Sequence, residues 1–425
     1  MTKTVMIIGG GIGGLALAHG LRQAGIEVAV YERSHARTEW LQGYRIHINP
    51  HGSRALRACL EPAAWQAFLD TVSTGDGGFG FTTEGFEDLL RITHDDIAVS
   101  PDPAEQHYGV SRISLRQVLL SGLDDVLHLG KTFTRYETTA DGRVRAYFED
   151  GASATADLLV GADGANSRVR GQLLPHATRI DTGVTAVAGK HRLTESALAR
   201  LPKRLTRDAN LVIPAGRGNL FTAVWRHDRK TVAPDGSLPT GFLLDNTADY
   251  TFWAYADAAD QFPSDVDGYD GAALMSLILD RTRDWSPELR QLIGGSDADT
   301  VNLVRIRSAS PVEPWPTGPV TLLGDSIHNM TPMAGIGANT ALRDADLLRR
   351  QLIAVRDGQT SQAAAVAEYE RQMREYGFAA VKQSLRNARQ AASANRFGRT
   401  MFRAVLRTMS AVPPLKRRFA RAFGS

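Results

Sequence analysis

The chain has 425 residues, 43% of them hydrophobic and 22% charged, which suits two or three globular domains and excludes a disordered or collagen-like chain. With 49 Lys and Arg residues against 46 Asp and Glu residues, the net charge of +3 excludes a nucleic-acid-binding surface spread over the whole protein. The single cysteine, Cys59, excludes an intramolecular disulfide and any metal site built on several cysteines, and favours a reducing cytoplasm as the compartment.

The N-terminal residues have the pattern of a nucleotide-binding βαβ unit. Val5–Ile8 is a wholly apolar run, typical of a buried parallel strand, and a GxGxxG turn follows at Gly9–Gly14. A helix with an apolar face at Leu15–Leu21 leads to a second strand that ends at Glu32. The glycines and the helix N-terminus admit a pyrophosphate, and the acid binds ribose hydroxyls. An acid at this position disfavours a 2′-phosphate, so the unit predicts a site for FAD or NAD.

Two further motifs follow apolar strands later in the chain. The strand at 156–161 runs into Asp163-Gly164, and the strand at 320–323 runs into Gly324-Asp325. An Asp-Gly turn alone is usually structural. In the second motif, however, Asp325 can accept ribityl hydroxyls, and the helix that begins near Gly335–Asn339 can stabilise negative charge on a reduced ring.

The region from about 180 to 290 lacks the strand-turn-helix pattern of the parts on either side and instead has the pattern of short strands between turns. The strands are predicted at Asn210–Pro214, Gly218–Trp225, Gly241–Leu244 and Tyr250–Tyr255. This pattern predicts an antiparallel sheet. Residues 72–100, with several glycines, predict a loop-rich excursion into the same domain.

The three motifs in this order resemble the single-component FAD-dependent aromatic hydroxylases, the 4-hydroxybenzoate hydroxylase-like or group A flavoprotein monooxygenases. The combination is GxGxxG and Glu32, then GADGxxSxxR, then GDSxHxxxPxxGxG, over roughly residues 1–355. The resemblance implies an α/β fold: a Rossmann-like FAD-binding domain, an inserted antiparallel-sheet substrate domain and a C-terminal helical tail. The expected boundaries are 1–71, 101–178 and 291–370 for FAD binding, 72–100 and 179–290 for substrate binding, and 371–425 for the tail.

The resemblance also implies which residues form the site. Arg112 begins the family's R-x-x-L-x-x-x-L helix and is expected to contact FAD, whereas Arg116 is expected to be a solvated helix residue. The implied FAD contacts are Gly9, Gly11, Gly13, Gly14, Glu32, Arg33, Arg45, Arg112, Asp163, Gly164, Gly324, Asp325, Pro332, Gly335, Gly337 and Asn339. The aromatic residues that are candidates for the wall of the substrate pocket are Trp225, Phe252, Trp253 and Tyr255.

The implied activity is insertion of one oxygen atom from O₂ into an aromatic or polyketide-like molecule through a flavin C4a-hydroperoxide. FAD is then non-covalent, and NADPH or NADH visits transiently, since the chain has one GxGxxG. Epoxidation and reduction of an isoprenoid double bond on the same fold stay open, as do a dehydrogenase or oxidase and a non-enzymatic flavin-binding relative. The catalytic base is not identified; His47 and His191 are weak candidates. No metal-ligand pattern competes with this interpretation.

The last 55 residues hide a charge imbalance. From 371 to 425 there are 13 basic residues and one acid, Glu375, a net charge of +12. Phe397, Met401, Ala404, Val405 and Met409 recur at helical spacing and predict a basic amphipathic helix. We expect its apolar side to pack on the catalytic body; contact with a membrane surface or with a protein partner stays open. The chain is expected to be a monomer or a homodimer, with no membrane-spanning helix and no nucleic-acid partner.

Overall fold

The computed structural model describes residues 3–35, 45–73, 78–93, 96, 100–226 and 249–424. Its strands, in chain order, are β1 (Thr4–Ile8), β2 (Glu27–Tyr31), β3 (Arg45–Ile48), β4 (Val72–Ser73), β5 (Phe79–Thr82), β6 (Asp88–Ile92), β7 (Tyr108–Ser111), β8 (Leu127–His128), β9 (Phe133–Thr138), β10 (Val144–Phe148), β11 (Ser153–Ala156), β12 (Leu158–Gly161), β13 (Arg179–Arg192), β14 (Ala209–Val212), β15 (Asn219–Trp225), β16 (Tyr250–Ala258), β17 (Asn302–Ala309) and β18 (Val320–Leu322). Its α-helices are α1 (Ile12–Gln23), α2 (Pro50–Cys59), α3 (Pro62–Thr71), α4 (Arg112–Leu120), α5 (Arg168–Leu173), α6 (Glu195–Arg200), α7 (Lys203–Arg207), α8 (Gly271–Arg281), α9 (Pro287–Gly294), α10 (Asp325–His328), α11 (Gly337–Arg356), α12 (Gln362–Ala391), α13 (Arg396–Ala411) and α14 (Pro413–Gly424).

A parallel sheet with the strand order β18-β12-β1-β2-β8 forms the nucleotide-binding part. Strands β12 and β18 are buried along their whole length, as expected for strands covered on both faces. Helix α11 packs against α1, α2 and α12. The turns after β1, β2, β12 and β18 all lie at the carboxyl edge of the sheet, where ligands of open α/β sheets bind. This part of the fold confirms the predicted Rossmann-like domain.

A second sheet of the described residues has seven strands in the order β17-β13-β16-β15-β14-β5-β6. Neighbouring strands are antiparallel except β14 and β5. The predicted strands at 210–214, 218–225 and 250–255 are confirmed as β14, β15 and β16, and the one at 241–244 lies outside the described residues.

The segment predicted at 72–100 does join the same sheet as residues 210–255, but where the structure describes it, it does so as the strands β5 and β6 rather than as loops. Gly80 serves packing rather than a turn: a Cβ there would lie 2.7 Å from both Arg91 Nη2 and Asn210 Oδ1. The glycines at 75 and 77 lie outside the described residues.

The two faces of the seven-stranded sheet meet different partners. On the outer face, Trp253 packs with Leu274 of α8 and Leu292 of α9. On the inner face, Ala256 packs with Met333, which follows the Gly-Asp motif, and with Ala388 of α12. The inner face is therefore the one that meets the nucleotide-binding part.

Two smaller antiparallel sheets complete the described strands, with the orders β11-β10-β9 and β3-β7-β4. The second of these sheets matters for the site. Strand β3 contacts both α11 and β15, and strand β7 contacts β15. Strand β3 therefore lies between the nucleotide-binding part and the inner face.

Two predicted domain boundaries differ from the structure. Strand β17 falls in the segment 291–370 that we predicted for FAD binding, but it pairs with β13 in the seven-stranded sheet, Ala186 opposite Val304. Helix α12 runs through the boundary predicted at residue 371, because its apolar side continues past it at Met373 and Val381.

The C-terminal helices α13 and α14 pack on β5 and β6 through Phe402, Leu406, Met409 and Phe419. The helical tail is confirmed. Of the five residues predicted to dock on the body, Met409 does so, whereas Phe397, Met401, Ala404 and Val405 are exposed. The docked residues lie on a different side of α13. No helix of the described residues combines the length and the apolar character needed to cross a membrane.

Candidate functional site

In the glycine-rich turn after β1, three glycines are required by close packing, and a fourth, Gly11, faces open space. A Cβ at Gly9, which has φ +112°, would collide with the carbonyl of Ala162, and one at Gly14 would collide with the carbonyl of Gly9. A Cβ at Gly13 would lie 2.5 Å from Leu323 Cδ2. A Cβ at Gly11 would meet nothing within 4 Å. The N-cap residue of α1 is Gly11, which has no side chain to cap the helix, so the first N–H groups suit an anion.

Glu32 is buried beside this turn. Its carboxylate accepts hydrogen bonds from Gly10 N at 2.5 Å, Ser34 N at 3.0 Å and Ser34 Oγ at 2.7 Å. Burial alone would raise the pKa of Glu32, but these hydrogen bonds and the charge of Arg116 lower it, so the group is ionised. A carboxylate has about four acceptor positions, which leaves room for a ribose hydroxyl. Arg33, next in the chain, is exposed.

Arg116 differs from its prediction as a solvated helix residue. It is half-buried, and its Nε donates to the carbonyl of Gly10 at 3.1 Å. The predicted FAD contact Arg112, one turn earlier, is exposed at the start of α4. Arg116 therefore links α4 to the glycine-rich turn, a role that the exposed-helix pattern did not indicate.

The Asp-Gly and Gly-Asp motifs are joined by one hydroxyl. Ser326 Oγ accepts from Gly164 N at 2.9 Å and donates to Asp163 Oδ1 at 3.2 Å. Asp163 also accepts from Ser167 Oγ at 2.5 Å and Arg168 N at 2.7 Å at the start of α5. The Asp163 carboxylate is thus engaged in holding the two motifs together, while Gly164, with φ +80°, faces open space.

Asp325 stands out within the third motif. From Thr321 to Thr331 it is the one exposed residue, and its carboxylate makes no hydrogen bond with the described part of the chain. After it, Pro332 and Gly335 are exposed and Gly337 is half-buried. The N-cap residue of α11, Ile336, makes no side-chain hydrogen bond to the helix. A free carboxylate and an uncapped helix thus lie within one short segment.

Asn339, predicted to contact FAD, joins α11 to β3. Its Nδ2 donates to the carbonyl of His47, and its Oδ1 accepts from Asn49 N, both at 2.8 Å. Both ends of the amide therefore hold the segment around His47 against the start of α11.

A buried cluster behind Gly324 escaped the sequence analysis. Asp344 Oδ2 accepts from Gly324 N at 2.8 Å and from His328 Nε2 at 2.6 Å, and Asp344 Oδ1 accepts from Tyr376 Oη at 2.6 Å. His328 and Asp344 are both fully buried. Burial opposes the charged form of His328, but the charge of Asp344 and its hydrogen bond outweigh this and raise the pKa of His328. The cluster fixes the turn that presents Asp325.

The raised pKa of His328 predicts a pH-dependent stability. Because the pKa of His328 is higher in the folded state than the unfolded value of about 6.5, the protonated side chain stabilises the folded protein. This stabilisation is complete below the unfolded pKa and is lost as the pH rises through the folded pKa. We expect the free energy of unfolding of the wild type, measured by urea titration, to fall over that range relative to His328→Gln. The exposed His128→Gln variant serves as control and should keep the wild-type slope; identical slopes in wild type and His328→Gln would contradict the prediction.

Strand β3 brings a cationic group to the space between the two sheets. The Nε of Arg45 is buried and finds no hydrogen-bond partner among the described residues, and Gly109 leaves space for it, since a Cβ there would lie 2.6 Å away. His47 Nε2 lies 3.0 Å from His107 Nδ1. Part of the His47 side chain is accessible to solvent. Desolvation by the surrounding protein, then the charges of Arg45 and His107, lower the pKa of His47 to about 3.

The aromatic candidates divide between the two faces of the seven-stranded sheet. Trp225 stacks on Tyr250 with ring centroids 5.6 Å apart, and Phe252 lies two residues further along the same inner face. Trp253 and Tyr255 belong to the core on the outer face, where Tyr255 also lines a cavity with Asp257 and Trp285, so neither side chain faces the flavin motifs.

His191, the second candidate base, also lies on the face of the sheet that points away from the flavin motifs. It lies on the outer face, and its Nδ1 is 2.9 Å from the carbonyl of Leu292 in α9. Burial lowers the pKa of His191 and keeps the ring neutral. Strand alternation places it away from the inner face, so it does not face the site.

Two family models match the chain: an FAD binding domain over residues 294–384 and an NAD(P)-binding Rossmann-like domain over residues 7–71. The first range contains the Gly-Asp motif together with Asp344 and Tyr376. The second contains the glycine-rich turn and Glu32.

Curated relatives and solved structures agree with these matches. The dual O-methyltransferase/FAD-dependent monooxygenase elcB of Phaeosphaeria nodorum is 33% identical over 374 residues, which cover 80% of this chain and 39% of that protein. This chain therefore spans about two fifths of that relative. The FAD-dependent urate hydroxylase of Klebsiella pneumoniae is 30% identical over 383 residues, 86% of this chain and 85% of the hydroxylase.

A crystal structure of a protein described as an FAD-containing monooxygenase, from Photorhabdus luminescens, superposes with a TM-score of 0.81 at 38% identity. The match covers 92% of this chain and 98% of that one. The chain belongs to the family of FAD-dependent monooxygenases.

Proposed function

We propose that the chain is an NAD(P)H-dependent FAD monooxygenase that inserts one atom of O₂ into an aromatic or polyketide-like small molecule. In the overall reaction the other oxygen atom leaves as water, and NAD(P)H supplies the two electrons. One observation supports this most: the turns after four parallel strands lie at one edge of the sheet and face the inner face of a second sheet. Ser326 joins the two turns after β12 and β18, and the Gly10–Glu32 hydrogen bond joins the two turns after β1 and β2.

The residues present fit FAD. At one end, the open space at Gly11, the uncapped start of α1 and the ionised Glu32 suit a pyrophosphate and an adenosine ribose. At the other end, the free carboxylate of Asp325 suits ribityl hydroxyls, and the uncapped α11 suits a ring that gains negative charge. The flavin supplies hydride acceptance and oxygen activation when it is bound.

We assign the protein's own contribution as binding, orientation and exclusion of water. Arg116 and Asp344 hold the two turns in shape, and Asn339 fixes β3 against α11. Arg45 places a fixed positive charge in the space between the sheets. A general base needs a pKa near the working pH, so His47, at about 3, is better suited to a neutral hydrogen-bonding role.

The substrate compartment that we propose lies over the inner face of the seven-stranded sheet. Trp225 and Tyr250 are buried and stacked on each other on this face, Phe252 beside them is half-buried, and Lys190 Nζ lies 4.6 Å from the ring centre of Tyr250. Flat apolar walls with few polar groups favour a planar, electron-rich substrate. One relative is named as a urate hydroxylase, and urate is a planar small molecule.

Purified protein tests the proposal directly. We expect it to be yellow with non-covalent FAD, and we expect an accepted substrate to accelerate NAD(P)H oxidation while O₂ is consumed, followed by absorbance and an oxygen electrode. A colourless protein that binds no FAD on reconstitution would refute the proposal.

Asp325→Ala tests the flavin end of the site. Removing a charge-assisted acceptor is expected to weaken FAD binding by roughly 10-fold or more, or to slow flavin reduction to a similar extent. Because Asp325 is exposed, the thermal unfolding of the apoprotein should not change. Asp284→Ala, at a side chain that is 90% exposed in the turn after α8, is the matched control. Wild-type FAD affinity and turnover in Asp325→Ala would count against the assignment.

A further inference from the structure

The tail helices α13 and α14, together with Val412 between them, carry nearly all of the exposed large hydrophobic side chains of the described residues. These side chains, which we call the tail face, are Phe397, Met401, Val405, Val412 and Leu415; one other, Val304, is exposed elsewhere. Phe397 is 75% exposed and Met401 is 57% exposed, more than a packed helix needs to leave in water. Phe397, Met401 and Val405 follow one another at intervals of four residues, so they form a single line along α13.

The opposite side of the tail is firmly docked. Leu406 and Phe402 pack against Phe81 and Leu90. The buried Arg399 donates to the carbonyls of Gly218, at 2.9 Å, and Ala391, at 2.8 Å.

Two ion pairs add to this contact: Arg403 Nη1 with Glu84 Oε2 at 3.0 Å, and Lys416 Nζ with Asp96 Oδ2 at 2.6 Å. The body thus holds both helices without using the tail face.

The tail face is set in positive charge. Arg396 and Arg407 on α13 and Arg417 and Arg418 on α14 are exposed. No acidic residue occurs in the sequence from 376 to 425. A partner for this surface must therefore accept apolar side chains and offer negative charge at the same time.

Among such partners the geometry favours a lipid surface. Five side chains on two convex helices are few beside the roughly 800 Å² per partner of a typical protein interface. A second copy of the chain would oppose its own arginines to those of the first. A bilayer needs no complementary shape, since apolar residues enter the interface while arginines meet anionic headgroups.

We propose that the tail face binds the surface of a membrane that contains anionic lipid. The helices would lie along the surface, with Phe397, Met401 and Val405 inserted at the level of the headgroups. The docked side of α13 would keep the catalytic body at a fixed orientation to that surface.

Vesicle sedimentation with the full-length holoprotein tests this. We expect the wild type to partition at least ~10-fold more strongly onto phosphatidylcholine vesicles with about 30% phosphatidylserine than onto phosphatidylcholine alone, and less in high salt. The triple variant Phe397→Ser, Met401→Ser, Val405→Ser should lower the partition coefficient by roughly 10-fold or more. Val304→Ser, at the other exposed apolar residue, should bind as the wild type does.

A second set of variants isolates the charge. Arg407→Gln, Arg417→Gln and Arg418→Gln together should lower binding by roughly 100-fold. The control replaces three exposed arginines outside the tail, Arg145, Arg192 and Arg283, with glutamine and should leave binding unchanged.

Equal binding of the wild type to both vesicles, or wild-type binding by the triple serine variant, would overturn the proposal. A wild type that sediments as a dimer, ignores both vesicles and becomes monomeric in the serine variant would assign the tail face to a second copy instead. The FAD content and turnover of every variant are expected to match the wild type, so failure here is separate from failure of the proposed function.

Discussion

Replacing Gly11 with leucine is expected to abolish tight FAD binding while the apoprotein keeps its fold. A side chain at Gly11 meets no protein atom within 4 Å, and the residue has φ −83°, which any residue adopts. The space it would fill is the space that a pyrophosphate needs at the start of α1. We expect titration of the apoprotein with FAD to show a loss of at least about 100-fold in affinity, or about 2.7 kcal/mol.

Two glycines serve as comparisons for this variant. Gly171→Leu, on α5, also meets nothing within 4 Å and should change neither FAD affinity nor thermal unfolding. Gly14→Leu should instead unfold the protein, because its Cβ would collide with the carbonyl of Gly9. Wild-type FAD affinity in Gly11→Leu would remove the glycine-rich turn from the cofactor site.

Asp344→Ala is expected to give the largest loss of stability. The carboxylate accepts from Gly324 N, His328 Nε2 and Tyr376 Oη, and all three donors would lose their acceptor in a buried place. Removing one partner of a buried ion pair costs about 3–5 kcal/mol, which urea unfolding of the apoprotein would measure. FAD binding should weaken as well, because the turn that presents Asp325 loses its anchor.

Asp346→Ala is the matched control on the same helix. Asp346 pairs with Arg349 at 2.8 Å and Arg350 at 3.1 Å in partly exposed positions, and such pairs contribute only about 0–1 kcal/mol. An unfolding free energy of Asp344→Ala within about 1 kcal/mol of the wild type would show that the cluster does not hold the turn.

The parts of the fold that the sequence predicted are those with local causes. Strand β1, the glycine-rich turn, α1 and Glu32 follow each other within one βαβ unit, and each residue type has a reason that depends on near neighbours. The strands β14, β15 and β16 have turns on both sides and alternate, so they were also predictable. The family resemblance then supplied how these pieces assemble.

The Asp344 cluster could not be predicted in the same way, because its members come from three segments. A signal was present: Asp344 interrupts the apolar stripe of α11 between Ala341 and Leu348, and a buried carboxylate requires a partner. Its partner Tyr376 lies on the next helix, and only the packing of α12 on α11 shows that the two meet. Arg116 escaped for the same reason, since Gly10 is distant in sequence.

The placement of Trp253, Tyr255 and His191 on the outer face could not be predicted for a different reason. Strand alternation separates 250, 252 and 254 from 251, 253 and 255, but it does not say which set faces the cofactor. Both sets contain aromatic residues, and both faces are covered, so hydrophobicity does not distinguish them. The contacts of Trp253 with α8 and of Ala256 with Met333 decide the matter.

The origin of the oxygen atom in the product tests the proposed function most directly. A screen of phenolic and polyketide-like aromatics with FAD-loaded protein and NAD(P)H, read by mass spectrometry, would identify a substrate, and the reaction is then repeated in isotopically heavy O₂. A monooxygenase predicts a product that gains one heavy oxygen atom for each NAD(P)H oxidised. A product whose new oxygen comes from water, or one that loses hydrogen without gaining oxygen, would contradict it.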